Sequence, residues 1–160
     1  MPDLLSHVAI AYGVQRYSGK LFSTPWFLIG TILPDILSRP FNILFPSVSW
    51  FFVPFHTPAG LLLVSALISE FFAAPMRRLV FLSLSGGASL HLFLDLFQRH
   101  SGGGYYLFFP FSWRKFEFGL VSPEASLYLF PVWLSIGAFL AVRWSLFNKQ
   151  VQRHGVSTNA

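Results

Sequence analysis

Apolar residues run through this chain in long stretches that charged residues rarely interrupt. Asp, Glu, Lys and Arg are absent from 79–94, 125–142 and 40–69. A spanning helix needs roughly 20 mostly apolar residues, within about 17–25. Leu79–Phe97 meets this if Asp95 sits near an interface, and Leu127–Phe147 meets it with Trp133 and Trp144 as interfacial anchors. In the third stretch the spanning part is expected from Thr57 or Pro58 to about Phe72, with Pro58 in a first helical turn. Leu4–Tyr17 has a helical pattern with a polar side, and Ser23–Leu37 is apolar but broken by Pro34. Each is short for a span, so the pair reads as a hairpin entering the membrane part-way. Prolines at 40, 46 and 54 argue against one helix over Arg39–Phe55, which reads as an interfacial loop. The expected fold is an all-α membrane protein. It has three clear transmembrane helices, a shorter N-terminal helical hairpin, a single membrane-embedded domain over 1–147 and a polar tail over 148–160.

Composition agrees with that reading. Of 160 residues 54% are hydrophobic and 11% charged, and 20 are Phe; a soluble domain carries about 25% charged residues. The start, MPDLLSHVAIAYG, lacks the basic n-region and cleavage site of a signal peptide. With no cysteine, disulfides and thiolate metal sites are excluded, and any metal must be held by His, Asp or Glu.

The net charge of +5 matters through its placement. Arg77 and Arg78 lie in the connection AAPMRR, and Lys149 and Arg153 lie in the tail two spans later, so both fall on one side of the bilayer. The positive-inside rule makes that side, with the C-terminus, cytoplasmic. Arg39, Arg99, Arg114 and Lys115 then fall outside with the loops Arg39–Phe55 and His100–Pro123. The basic residues flank spans rather than forming a patch, so no nucleic-acid partner is expected; membrane lipid is.

The titratable residues carry the chemistry. His91 and Asp95, spaced i, i+4 in SLHLFLDLF, share one helix face. Burying them among Leu and Phe is costly without partners, and a divalent metal removes the cost. A lone buried His is more often a hydrogen-bonded structural residue than a ligand. The inferred topology changes the weighting: His7, Asp35 in LPD, His56 in PFHTP, His91 and Asp95 all fall at the outer level, from four segments that a bundle can bring together. His100 is a loop candidate beside them.

LLSHVAIAYG, GTILPD, FHTPAGLLL and GGASLHLFLDLF, followed by a glycine turn and FFPFSW, together resemble one family. It is the bacterial membrane-bound metal-dependent hydrolases of the YdjM-like group, described as LexA-binding and inner-membrane-associated. The resemblance covers about Pro2 to Trp133, and the family looks distantly similar to the zinc-dependent phospholipase C group. It implies that His7, Asp35, His56, His91 and Asp95 are metal ligands and that His100 fills a sixth place. The phospholipase pattern ends in HxxxE, and neither Glu117 nor Glu124 has a His four residues before it. One or two zinc or similar ions are therefore implied rather than three.

The expectation is a metal-dependent hydrolase of the bacterial inner membrane, acting on a phosphoester or lipid-linked substrate. Asp35 would be general base or bridging ligand, and Arg99, Arg114 or Lys115 would meet an anionic group. The alternatives are a non-enzymatic membrane protein tied by a structural metal or a His/Asp network, and a transporter subunit. Against the transporter, the acids cluster at one end of the spans rather than at mid-membrane. The topology is testable with single cysteines at Ser101 and Ser157: a membrane-impermeant thiol reagent added to intact cells should label Ser101→Cys and not Ser157→Cys. The reverse pattern would invert the orientation.

Overall fold

The computed structural model of the chain describes residues 4–17, 22–100 and 102–122, with isolated positions beyond as far as Arg143. The tail 148–160 and all but a few positions of the 127–147 span lie outside the described residues, so neither expectation is addressed. Among the described residues there are five helices and no strand: α1 Leu4–Tyr17, α2 Thr24–Leu44, a 3-10 segment Pro46–His56, α3 Pro58–Glu70 and α4 Ala74–Phe97.

Two of these helices are long and apolar enough to cross a membrane, α2 and α4. With 21 and 24 residues they measure about 30 and 36 Å, against a hydrocarbon core of about 30 Å. α3 has 13 residues and does not suffice alone; joined to the 3-10 segment across a bend of 77° it makes up a third candidate. The expectation of three clear spans is thus corrected, since α2 is long enough where the 57–72 stretch alone is not. α4 starts at Ala74, so Arg77 and Arg78 belong to its first turn rather than to a connecting loop. There Arg77 pairs with Glu70 at 2.8 Å.

The larger correction concerns proline. α2 continues through Pro34 and Pro40 to Leu44, taking in the first part of what the sequence suggested was a loop, and the 3-10 segment takes the rest. Each interior proline removes one backbone hydrogen bond. Packing and polar side chains can make up the difference in a membrane helix; the Ser38 hydroxyl bonds back to the Pro34 carbonyl at 2.8 Å, an added i to i−4 contact within the helix. Asp35 is consequently near the middle of α2, not at its outer end, and the helix runs on past it.

Contacts fix how α2 and α4 lie. The Ser23 amide donates to the Ser83 hydroxyl at 2.9 Å, Gly87 sits against Phe27 and Thr31, and Asp35 meets His91. Both numbers rise together, so the two helices run parallel, with the 3-10 segment and α3 as the crossover between them. A Cβ on Gly30 would collide with the Leu84 carbonyl, and one on Gly87 with the Phe27 carbonyl. Small residues at a membrane helix contact let backbones approach closely, where packing rather than water drives association. α3 packs on α4 through a small apolar core of Leu61, Ala88 and Leu92. At the corner before it, Thr57 caps α3 by accepting from the Gly60 amide at 3.1 Å and donates to the Pro54 carbonyl at 2.8 Å. That corner carries His56.

Gly30→Ala and Gly87→Ala should each destabilise the protein by roughly 1–3 kcal/mol, because a backbone and not a side chain must yield. Gly13→Ala, where an added Cβ meets nothing within 4 Å, should not. Thermal unfolding in detergent reads the difference, and equal midpoints for all three variants would show that α2 and α4 do not touch at these glycines.

Candidate metal centre

Three elements deliver the four polar residues to one place. α2 supplies Asp35, the corner before α3 supplies His56, and α4 supplies His91 and Asp95 one turn apart. His91 Nε2 lies 3.2 Å from Asp95 Oδ2 and 3.5 Å from Asp35 Oδ1. His56 Nε2 lies 3.5 Å from each of the same two carboxylate atoms. Two atoms bound to one tetrahedral ion at about 2.0–2.1 Å stand about 3.3 Å apart. The four residues offer ligand atoms that all lie within 4.8 Å of one another, and the cluster could hold a metal ion.

Hydrogen bonding around His56 supports the ligand role. Ser38 has one hydroxyl proton, which goes to the Pro34 carbonyl; at 2.7 Å from His56 Nδ1 the same oxygen therefore accepts Nδ1–H. Nε2 is thereby turned toward two carboxylate oxygens, where a bound cation would also fit. His91 has neither ring nitrogen in a hydrogen bond among the described residues, although it is completely buried. Its Nε2 has the ion-pair contacts with Asp35 and Asp95, and a bound cation is a further partner this position could accept.

His7, from α1, approaches the cluster from behind: its Nε2 is 3.2 Å from Asp95 Oδ1, the oxygen turned away from His91, and its ring is 4.5 Å from that of His91. His100 stands outside the set. Its Nε2 is 2.7 Å from the Tyr105 hydroxyl and its Nδ1 is 3.1 Å from the Gln98 carbonyl, so both nitrogens have other partners. Tyr105 links it to the cluster by donating to Asp95 Oδ2 at 2.8 Å. Burial first, and then the Asp95 charge and hydrogen bond, push the Tyr105 phenol above its ordinary range, so it remains a donor. Gly104 at φ 99° lies too close to the Phe116 carbonyl to carry a Cβ, and this tight turn brings Tyr105 back over the end of α4.

Three of these partners were not singled out from the sequence: Ser38, Arg39 and Tyr105. Arg39 Nε pairs with Asp35 Oδ1 at 2.7 Å, one helical turn on. Ser38 and Arg39 were findable, because i+3 and i+4 from Asp35 share its face once α2 is continuous. Nothing in the spacing of Tyr105 marked it.

A cavity of about 540 Å³ opens beside the cluster, and His56 belongs to both. Arg39, Arg99, Tyr105 and Tyr106 are among the residues that line it. Arg114 and Lys115 are exposed on the following loop and outside the lining. Lys115 donates instead to the Gly102 carbonyl at 2.6 Å and lies over the Tyr106 ring.

These features define a helical membrane protein with a His/Asp cluster where α2, α4 and the corner before α3 meet. The sequence profile of the YdjM inner membrane protein family matches residues 3–156, and the chain belongs to that family. No curated protein and no solved structure matches it.

His56→Ala, His91→Ala and Asp95→Ala should each lose bound metal, whereas His100→Ala should retain it. Tyr105→Phe and Ser38→Ala should weaken metal affinity by about 10–100-fold, the usual cost of removing a group that orients a ligand. Metal analysis of the purified variants after equilibrium dialysis is the measurement. Full metal in His56→Ala beside loss in His91→Ala would separate the two helix ends into different sites.

Proposed function

We propose that the chain is a metal-dependent hydrolase of the inner membrane that acts on phosphoesters at the membrane interface, including lipid-linked ones. The observation that carries the reading is a nitrogen- and oxygen-lined ligand cluster sharing His56 with a cavity that holds two arginines. Asp35, His56, His91 and Asp95 suit zinc or a similar first-row ion, one in this cluster, with room for a second only if His7 and Asp95 Oδ1 take part. Bound there, such an ion supplies Lewis-acid polarisation of a phosphoryl oxygen and lowers the pKa of water.

The chain's own residues do the rest. Arg39 and Arg99 hold an anionic group over His56, with fork-shaped donors suited to phosphate. Asp35 is assigned to the reacting side of the cluster, because Arg39 ties it to the cavity wall. Tyr105 holds Asp95 in place from the opposite side. The Gly102–Gly104 loop and the cavity face outward in this reading, and the C-terminus is cytoplasmic.

A second reading has its own observation. Four protein donors are enough to fill a tetrahedral zinc site, and a closed site is structural. The two readings part at His56, which at 13% is more exposed than His91 or the neighbouring His7. Hydrolysis of phosphomonoester and phosphodiester substrates by purified protein should disappear on chelation and return with zinc. It should fall at least about a hundredfold in His91→Ala and Asp95→Ala. Metal-loaded wild-type protein that turns over no phosphoester, yet melts at lower temperature without metal, would establish the structural reading instead.

A further inference from the structure

The cavity wall has a chemical asymmetry. Its titratable lining among the described residues comprises Arg39, Arg99, His56, His100, Tyr105 and Tyr106, and no carboxylate. The nearest acids are accounted for: Asp35 is paired with Arg39, and Glu117 accepts from the His100 amide at 2.9 Å. An anion is the ligand such a lining selects.

The opposite part of the wall is apolar. Ile43, Phe52 and Val53 line it, and Ile43 is 66% exposed on the outer side of the last turn of α2. The surface continues without a charge through Leu44, Phe45, Val48, Trp50 and Phe51, all exposed. Exposed apolar residues in such number along one edge mark a surface that meets lipid or a ligand. Tryptophan at this position, 70% exposed, suits the headgroup level of a bilayer.

Size completes the argument. About 540 Å³ accommodates a small molecule, within the roughly 300–1,000 Å³ usual for ligand sites. It holds a headgroup with its glycerol but not two acyl chains as well, so the chains must leave along the apolar edge. We propose that this cavity is the binding site for the headgroup of a lipid phosphomonoester. The lipid enters sideways from the bilayer between the last turn of α2 and the 3-10 segment, with Arg39 and Arg99 on its phosphate. A phosphomonoester carries about 1.5–2 negative charges near neutral pH, which two guanidinium groups match better than the single charge of a diester. The inference rests on the phosphoester reading above and gives it a substrate class and an entry path.

Binding is measured without turnover, so that the two can fail separately. Full-length protein in detergent is incubated with phosphatidic acid, phosphatidylglycerol, phosphatidylcholine or water-soluble glycerol phosphate, and retained ligand is counted by native mass spectrometry. Phosphatidic acid should be retained at least about tenfold over phosphatidylcholine, the scale of one charge-assisted hydrogen bond, and above phosphatidylglycerol. Arg99→Gln should remove that preference and Arg99→Lys restore part of it. Arg99 is exposed and follows α4, so these variants do not disturb the core. Arg78→Gln, at the other end of α4, should leave retention unchanged. Equal retention of phosphatidic acid and phosphatidylcholine would overturn the proposal. So would equal effects of Arg99→Gln and Arg78→Gln, or retention of glycerol phosphate as strong as that of the lipid. Selective, Arg99-dependent retention without any hydrolysis would uphold this binding site and count against the hydrolase reading alone.

Discussion

Two carboxylates, Asp35 and Asp95, are buried against the same imidazole nitrogen, and the rest of the structure depends on how that arrangement is made tolerable. Among apolar helices an uncompensated carboxylate is expensive, and two are worse. Arg39 answers part of the charge on Asp35, and Tyr105 donates one hydrogen bond to Asp95. Neither places positive charge at the point where His56 and His91 also converge. The Ser38 contact, which holds Nδ1 and turns His56 Nε2 toward the carboxylate oxygens, fixes the geometry from the histidine side. A divalent cation satisfies all four residues at once, at separations already near those of a tetrahedral shell.

The cluster exists because two parallel helices meet in a fixed register. Glycines at 30 and 87 bring α2 and α4 close, and the Ser23–Ser83 hydrogen bond sets their relative height, so Asp35 arrives level with His91. The crossover then has a constrained path. The 3-10 segment lies along α2, and Thr57 turns the chain sharply into α3, placing His56 at the bend. A shift of α2 by one helical turn, about 5.4 Å, would separate Asp35 from both His56 and His91. Packing and site chemistry are therefore one problem in this protein, and the glycines at 30 and 87 matter to the cluster although neither belongs to it.

Much of this was legible in the amino-acid sequence. The bounds of α1 and the start of α3 follow from helical patterning and from Pro58 in a first turn, and the spacing of His91 and Asp95 puts them on one face. Proline misled the reading of α2. In a soluble chain prolines at 34 and 40 would end a helix; among lipid-facing helices the lost hydrogen bonds have no water to turn to, and the helix persists to Leu44. That error placed Asp35 at a helix end and hid Ser38 and Arg39, which appear one turn on only when α2 is continuous. Tyr105 was out of reach for another reason. Its contact with Asp95 depends on the Gly104 turn and on pairing with Phe116, neither of which has a periodic signature. The lining of the cavity by Arg99 but not Arg114 or Lys115 likewise follows from the path of that loop.

A zinc K-edge X-ray absorption spectrum of the metal-loaded protein tests the central claim most directly, because it reads the ligands rather than their consequences. The account predicts a first shell of nitrogen and oxygen only, at about 2.0–2.1 Å, with outer-shell scattering from two imidazole rings, one of which vanishes in His56→Ala. A shell without imidazole scattering, or one unchanged by that substitution, would contradict it.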